Sequence, residues 1–191
     1  MKAALRRLFV LIAPAALALL TGCAGPAPNY APSIDNVEVF KKSGATPVKT
    51  GSITVAPGLK TGNAIQLRAN SMVSAVGSNY GDYIAAALRQ ELELAKLYNA
   101  QAPTEVSGTL LENDINAGGF STSDGTIAVR FVVKRGDQVR FDKTKKITHQ
   151  WESSFAGAVA IPLAVNNYPV MVQKLIGQLI ADPDFVQAVR Q

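Results

Sequence analysis

The chain has 191 residues, 48% of them hydrophobic, a formal net charge of +5, a single cysteine and a single histidine. That length and composition suit one globular domain with a real core, and the lone Cys23 and lone His149 exclude an intrachain disulfide and a paired-histidine metal motif. Residues 1–22 carry Lys2, Arg6 and Arg7 and no acid, so their removal lowers the net charge to +2, too small a surplus to point to nucleic acid.

Lys2, Arg6 and Arg7 form a basic start, Leu8 to Leu20 an apolar run, and Leu20-Thr21-Gly22-Cys23 a small-residue end. The run is shorter than the roughly 20 apolar residues a membrane-spanning helix needs and contains Pro14, so the pattern predicts a cleaved signal peptide over residues 1–22. The four-residue end resembles the bacterial lipobox. That resemblance implies cleavage between Gly22 and Cys23 and acylation of Cys23 by a diacylglycerol and a palmitate, and several chains hold a protein durably at a membrane. With Ala24 rather than aspartate next, it also implies the outer membrane, periplasmic side. An acylated Cys23 leaves no thiol for a metal or a nucleophile.

Residues 23–33 are expected to be the lipidated cysteine and a Pro-rich tether, followed by a single domain over 34–191. Ile34 to Phe40 alternates like a short edge strand, and further strands are predicted at Ser52–Ala56 and Ala64–Ala69, separated by Pro57-Gly58 and Thr61-Gly62-Asn63. A helix is predicted over Tyr80–Leu97, capped by Asn79, with Tyr80, Ile84, Leu88, Leu92 and Ala95 on one stripe and Arg89, Gln90, Glu93 and Lys96 opposite. Val106, Gly108 and Leu110 alternate in a strand whose phase slips before Ile115, as at a bulge.

Ile127, Val129, Phe131 and Val133 share a strand face, Arg135-Gly136-Asp137 turns the chain, and Val139 and Phe141 return. Ile147, His149, Trp151, Ser153 and Phe155 continue one face, and Thr148, Gln150, Glu152 and Ser154 make a polar one. Asn167 is expected to cap a helix with Pro169 in its first turn and Gly177 at a close contact; Asp182-Pro183 starts a last short helix docked by Phe185 and Val189. The expected fold is α+β: two layers, a mostly antiparallel sheet with helices on one face.

No nucleophile elbow, phosphate loop or dinucleotide fingerprint is present, so neither an enzyme nor a cofactor or metal is expected. His149, beside Trp151 on an apolar face, reads as a packed, hydrogen-bonded side chain rather than a general base. Glu112, Asn113, Asp114 and Asp124 are oxygen-rich but match no calcium loop, and read as a solvated turn. Lys143, Lys145 and Lys146, with Arg135 and Arg140, read as a charged sheet edge rather than a site for anionic headgroups. No residue between Glu152 and Lys174 is charged. The leading expectation for this run is a buried crossover between strand and helix; the alternative is an exposed apolar patch at Val159, Ile161, Leu163 and Val165 that binds a protein or a lipid chain.

Several segments resemble an uncharacterised family of proteobacterial lipoproteins: Asn29 to Ile34, Gly119 to Thr122, Arg130 to Gly136, Trp151 to Phe155 with Gly157-Ala158 and Ile161-Pro162, Asn167-Tyr168-Pro169, and Asp182 to Phe185. More loosely, the order of elements is similar to YajG-like lipoproteins and to auxiliary lipoproteins of lipopolysaccharide assembly or lipid transport. The resemblance implies a non-enzymatic lipoprotein, anchored in the membrane, that binds or scaffolds another envelope component; the alternative is a lipid-binding accessory. It names no partner.

Overall fold

The computed structural model describes residues 24–190. The described residues are α+β, with two sheets and four helices. In order these are β1 (Ala24–Pro26), α1 (Ile34–Lys42), β2 (Lys49–Val55), a 3-10 turn (Lys60–Gly62), β3 (Ala64–Leu67), β4 (Asn70–Val73), α2 (Tyr80–Leu94), β5 (Thr104–Asn116), β6 (Thr122–Arg135), β7 (Gln138–Glu152), α3 (Gly157–Ile180) and α4 (Pro183–Val189). The larger sheet has the order β2-β5-β6-β7 and the smaller β1-β4-β3. Each sheet ends in one parallel pair, β2 with β5 and β1 with β4; all other pairs are antiparallel. A parallel pair needs a crossover, and α2, packed on both β2 and β5, completes it.

The alternating stretches form long strands, but β7 ends at Glu152: Ser153 and Phe155, expected to continue its apolar face, lie beyond the strand, and Phe155 is exposed. The phase slip in β5 is a bulge between Leu110 and Glu112, which leaves Leu111 unpaired and half out of the core. Asn79 caps α2 by accepting the Asp82 amide at 3.1 Å. The helix stops three residues short of Leu97 because Lys96 takes a left-handed φ of 62° and the Leu97 amide closes onto the Leu92 carbonyl at 2.8 Å. Gly81 lets the start of α2 press on β2, since a Cβ there would lie 1.9 Å from the Ile53 carbonyl oxygen.

Other expectations are corrected as well. Ile34–Phe40 is not an edge strand but most of α1: Ser33 accepts the Asn36 amide, Asp35 sits in the first turn, Lys41 and Lys42 in the last, and the buried residues Asn36, Val37 and Phe40 follow helical spacing. Ala64–Ala69 is not one strand. It forms β3 and the turn Arg68-Ala69 of a hairpin with β4, with Arg68 at φ 57°.

The segment expected as a free tether is packed on the domain. Ala24–Pro26 pairs with β4, Ala27 and Tyr30 are buried, and the Ala27 amide donates to the Val73 carbonyl at 2.8 Å.

The uncharged run is not a crossover, and Asn167 and Pro169 do not begin a helix. Both lie inside α3, which starts ten residues earlier at Gly157 and holds Pro162 and Pro169. Pro162 deprives the Ala158 carbonyl of its helical donor, but Ala158 is exposed, so the loss falls on the solvent side of the helix. Ala160 and Ala164 are fully buried, and their packing holds this turn in the helix.

The core lies between the larger sheet and the helices and is filled. Tyr80, Tyr83 and Tyr168 meet within it edge-on or tilted, at centroid distances of 4.8 to 6.4 Å. Each hydroxyl finds an acceptor: Met72 carbonyl for Tyr80, Pro28 carbonyl for Tyr83 and Asn113 Oδ1 for Tyr168. The outward face of the sheet carries cross-strand ion pairs, Lys49–Glu105, Arg130–Asp142 and Lys146–Glu112, all open to solvent. Among the described residues no helix is long and apolar enough to cross a membrane.

Candidate functional site

Gly22 and Cys23 lie outside the described residues; the structure shows where the chain that follows them goes. β1 runs parallel to β4 with Ala24 opposite Ser71, so β1 begins at the end of β4 next to Asn70 and the Arg68-Ala69 turn. Arg68 is the hub of that end. Its guanidinium donates to the carbonyls of Ala117 at 2.7 Å, Gly119 at 3.4 Å, Ser154 at 2.7 Å and Phe155 at 2.6 Å. One side chain thus ties the β3–β4 turn to the β5–β6 loop and to the β7–α3 loop. No pattern in the sequence marks Arg68; its role depends on a left-handed backbone and on carbonyls far away in the chain.

The two loops that Arg68 joins each expose a phenylalanine. Phe120 and Phe155 are 76% and 73% exposed, and their rings stack on each other at 5.2 Å with an interplanar angle of 14°. Ala24, Gly25, Pro26, Leu67, Asn70, Ser71, Met72, Ile161 and Val165 line a mostly apolar groove of about 210 Å³. The structure therefore brings Ile161 and Val165 of the sequence-predicted patch together beside the chain that follows Cys23. It divides the rest: Ile161, Leu163 and Val165 pack half-buried against the core, whereas Val159 is half exposed in the first turn of α3.

A second polar cluster holds the N-terminal segment down. Glu91 of α2 is fully buried and its Oε1 accepts from the Tyr30 hydroxyl, from the Ser33 amide at 3.1 Å and from Asn36 Nδ2 at 3.2 Å, while Oε2 has no partner. Burial raises the Glu91 pKa above the ordinary carboxylate value, opposed by those three bonds. Burial, helped by the Glu91 charge, pushes the Tyr30 phenol up as well. Glu91 escapes the sequence reading, although it stands three residues after Leu88 and seven after Ile84, on the apolar stripe itself.

His149 is half-buried with both ring nitrogens engaged. Asn167 Nδ2 donates to the Leu163 carbonyl, so its Oδ1 faces His149 Nε2 as an acceptor at 3.1 Å, and Lys174 Nζ donates to Nδ1 at 2.8 Å. This arrangement fits a neutral ring protonated on Nε2, and burial with the Lys174 charge lowers its pKa. The basic edge is also engaged: Lys145 and Lys143 both reach Asp182, the cap of α4, and Lys143 reaches Asp184. The Lys145 hydrogen bond chiefly holds the Asp182 carboxyl down to about 2.

The oxygen-rich set does not converge. Glu112 pairs with Lys146, Asn113 is buried between the Thr61 carbonyl and Tyr168, and Asp124 accepts from Asn116.

Comparison with family models gives no match, and neither does comparison with curated proteins. Solved structures do match. The chain is similar to the crystal structure of protein XCC0632 from Xanthomonas campestris, of family DUF330, with a TM-score of 0.55 and 11% identity over 86% of this chain and 96% of that one. A crystal structure of an uncharacterized protein aligns with a TM-score of 0.46 and 11% identity over 83% of this chain and 98% of that one. At such identity the first likeness is one of fold alone. The lipoprotein resemblance therefore continues to rest on the motifs that carry it.

Proposed function

We propose that this chain is a non-enzymatic lipoprotein of the outer membrane, anchored through Cys23 on the periplasmic side, whose domain binds or scaffolds another envelope component through the open face of its larger sheet. The observation that carries this reading is the asymmetry of the two sheet faces. One is filled by helices and buried tyrosines; the other is uncovered and holds a shallow depression of about 360 Å³ walled by Thr109, Arg130, Val132, Lys134, Val139 and Asp142.

Site-specific photocrosslinking in intact cells tests it. Probes at Thr109 and Val132 on the open face are expected to give a discrete adduct that a probe at Gln178 on the helical layer does not. Equal adducts at all three positions, or none at Thr109 and Val132, would overturn the reading.

The alternative, an accessory that carries lipid, has the apolar groove at Ile161 and Val165 in its favour. At about 210 Å³ that groove is smaller than the roughly 300–1,000 Å³ typical of sites that enclose a small-molecule ligand, so this reading ranks second.

A further inference from the structure

We propose that the end of the domain bearing Phe120, Phe155 and Val159 is a membrane-contact face, seated in the interfacial layer of the same bilayer that takes the Cys23 acyl chains. The proposal rests on the anchor reading and adds an orientation to it.

Three observations converge. The first is composition. Two stacked phenylalanines about three-quarters exposed, with Val159 half exposed in the nearby first turn of α3, form an apolar projection at one end of the molecule. Apolar and aromatic side chains of this kind settle at the boundary between headgroups and acyl chains.

The second is chain direction. The parallel register Ala24↔Ser71, Gly25↔Met72, Pro26↔Val73 puts the start of β1 at the end of β4 nearest the Arg68-Ala69 turn. Arg68 binds the carbonyl of Phe155 and that of Gly119, the residue before Phe120. The start of β1, the first described residue after Cys23, and the aromatic pair therefore lie at the same end of the domain.

The third is the missing slack. A free tether would let the domain turn any side to the membrane. Here Ala24 is already in β1, one residue after Cys23, and Ala27 and Tyr30 are buried, so the acyl chains begin next to the domain surface. Arg68 fixes the height of both loops relative to β1. With the anchor this short, the bilayer is the surface the two rings must meet.

The test uses the full lipidated chain in vesicles of phosphatidylethanolamine and phosphatidylglycerol. Acylation occupies Cys23, the only cysteine, so Phe120→Cys, Phe155→Cys and Val139→Cys each supply a unique thiol for a nitroxide. Val139 is exposed beside the β6–β7 turn, at the opposite end of the sheet. Relative accessibility to oxygen and to a water-soluble nickel chelate reads depth. The expected result is lipid exposure at positions 120 and 155 and water exposure at 139.

Flotation reads the anchor separately. A protein that floats with its vesicles while all three labels stay aqueous overturns the membrane face and leaves the anchor standing. A protein that fails to float overturns the anchor and the face with it. Spin–spin broadening between molecules at 120 and 155, without lipid exposure, means a second copy covers the rings and also overturns the proposal.

Discussion

Glu91 places a carboxylate where a helix stripe calls for an apolar side chain, and three donors converge on one of its oxygens. Glu91→Ala leaves the Tyr30 hydroxyl, the Ser33 amide and Asn36 Nδ2 short of an acceptor. Each unsatisfied buried group costs about 1–3 kcal/mol, so a loss of about 3 kcal/mol is expected in urea unfolding, with a smaller loss for Glu91→Gln, which keeps an acceptor. The pH dependence has a definite sign. Because the folded pKa is raised, the native state binds the Glu91 proton more tightly than the unfolded chain does. Stability from this group is present below the unfolded value of about 4.3 and falls as pH rises through the folded one.

His149 acts in the opposite direction: its folded pKa is lowered, so stability is full above about 6.5 and falls as pH drops below it. His149→Gln is expected to flatten the acid-side decline of unfolding free energy between about pH 7 and 5, and Glu91→Gln the other slope. An unchanged acid-side slope in His149→Gln would show that the ring does not titrate against folding. The packed role of His149 was legible from strand parity. Its partners Asn167 and Lys174 were not, because they come from another element.

At the scale of elements, α3 shows what local rules miss. Pro162 and Pro169 argue for a late start at Asn167, yet Ala160 and Ala164 bury completely and tertiary packing overrides the prolines. The same helix answers whether the uncharged run is core or surface: it is both, by face. Val159→Asp, half exposed, is expected to leave thermal unfolding within about 0.5 kcal/mol of wild type. Ile161→Asp, packed against the core beside Met72, is expected to cost about 2 kcal/mol or more, and equal melting curves for the two would contradict the face assignment.

Gly177 was legible as a close contact, and the structure supplies the neighbour. A Cβ there would stand 3.0 Å from Asn36 Oδ1, and the Asn36 amide is held by the Gln173 carbonyl and by Glu91. Gly177→Ala therefore forfeits the helix gain of about 1 kcal/mol and is expected to destabilise. In an Asn36→Ser background the same change is expected to stabilise, a coupling that a double-mutant cycle measures.

The molecule as a whole has two ends. β6 has 14 residues and spans roughly 45 Å at about 3.3 Å per residue, from the loop of Phe120 to the turn at Gly136. The sequence made β5, β6 and β7 legible because each alternates along its own length. It left the pairings β1–β4 and β2–β5 hidden, since a parallel partner lies far away and no turn announces it. That is why residues 24–33 read as a spacer: composition describes the prolines, while burial of Ala27 and Tyr30 depends on a groove formed by later elements.

The consequence is measurable by amide hydrogen exchange. The Ala27 amide donates to Val73, Tyr83 holds the Pro28 carbonyl, the Tyr30 ring stands edge-on to Tyr83 at 6.4 Å, and Glu91 takes the Tyr30 hydroxyl and the Ser33 amide. These bonds join the segment to α2 and β4, so peptides covering 24–33 are expected to exchange with protection close to that of α2, whereas a free spacer exchanges at the unprotected rate. Removing the ring breaks the unit at its centre. Tyr30→Ala, at about 3–5 kcal/mol for truncating a buried aromatic, is expected to release the segment while α2 and the β5–β6–β7 sheet keep most of their protection, because α2 packs chiefly on β2 and β5, and α3 on β6 and β7, outside the segment. Uniform loss of protection across the domain would mean instead that the N-terminal segment is part of the folding unit itself; full exchange of 24–33 in the unmodified protein would return it to a tether.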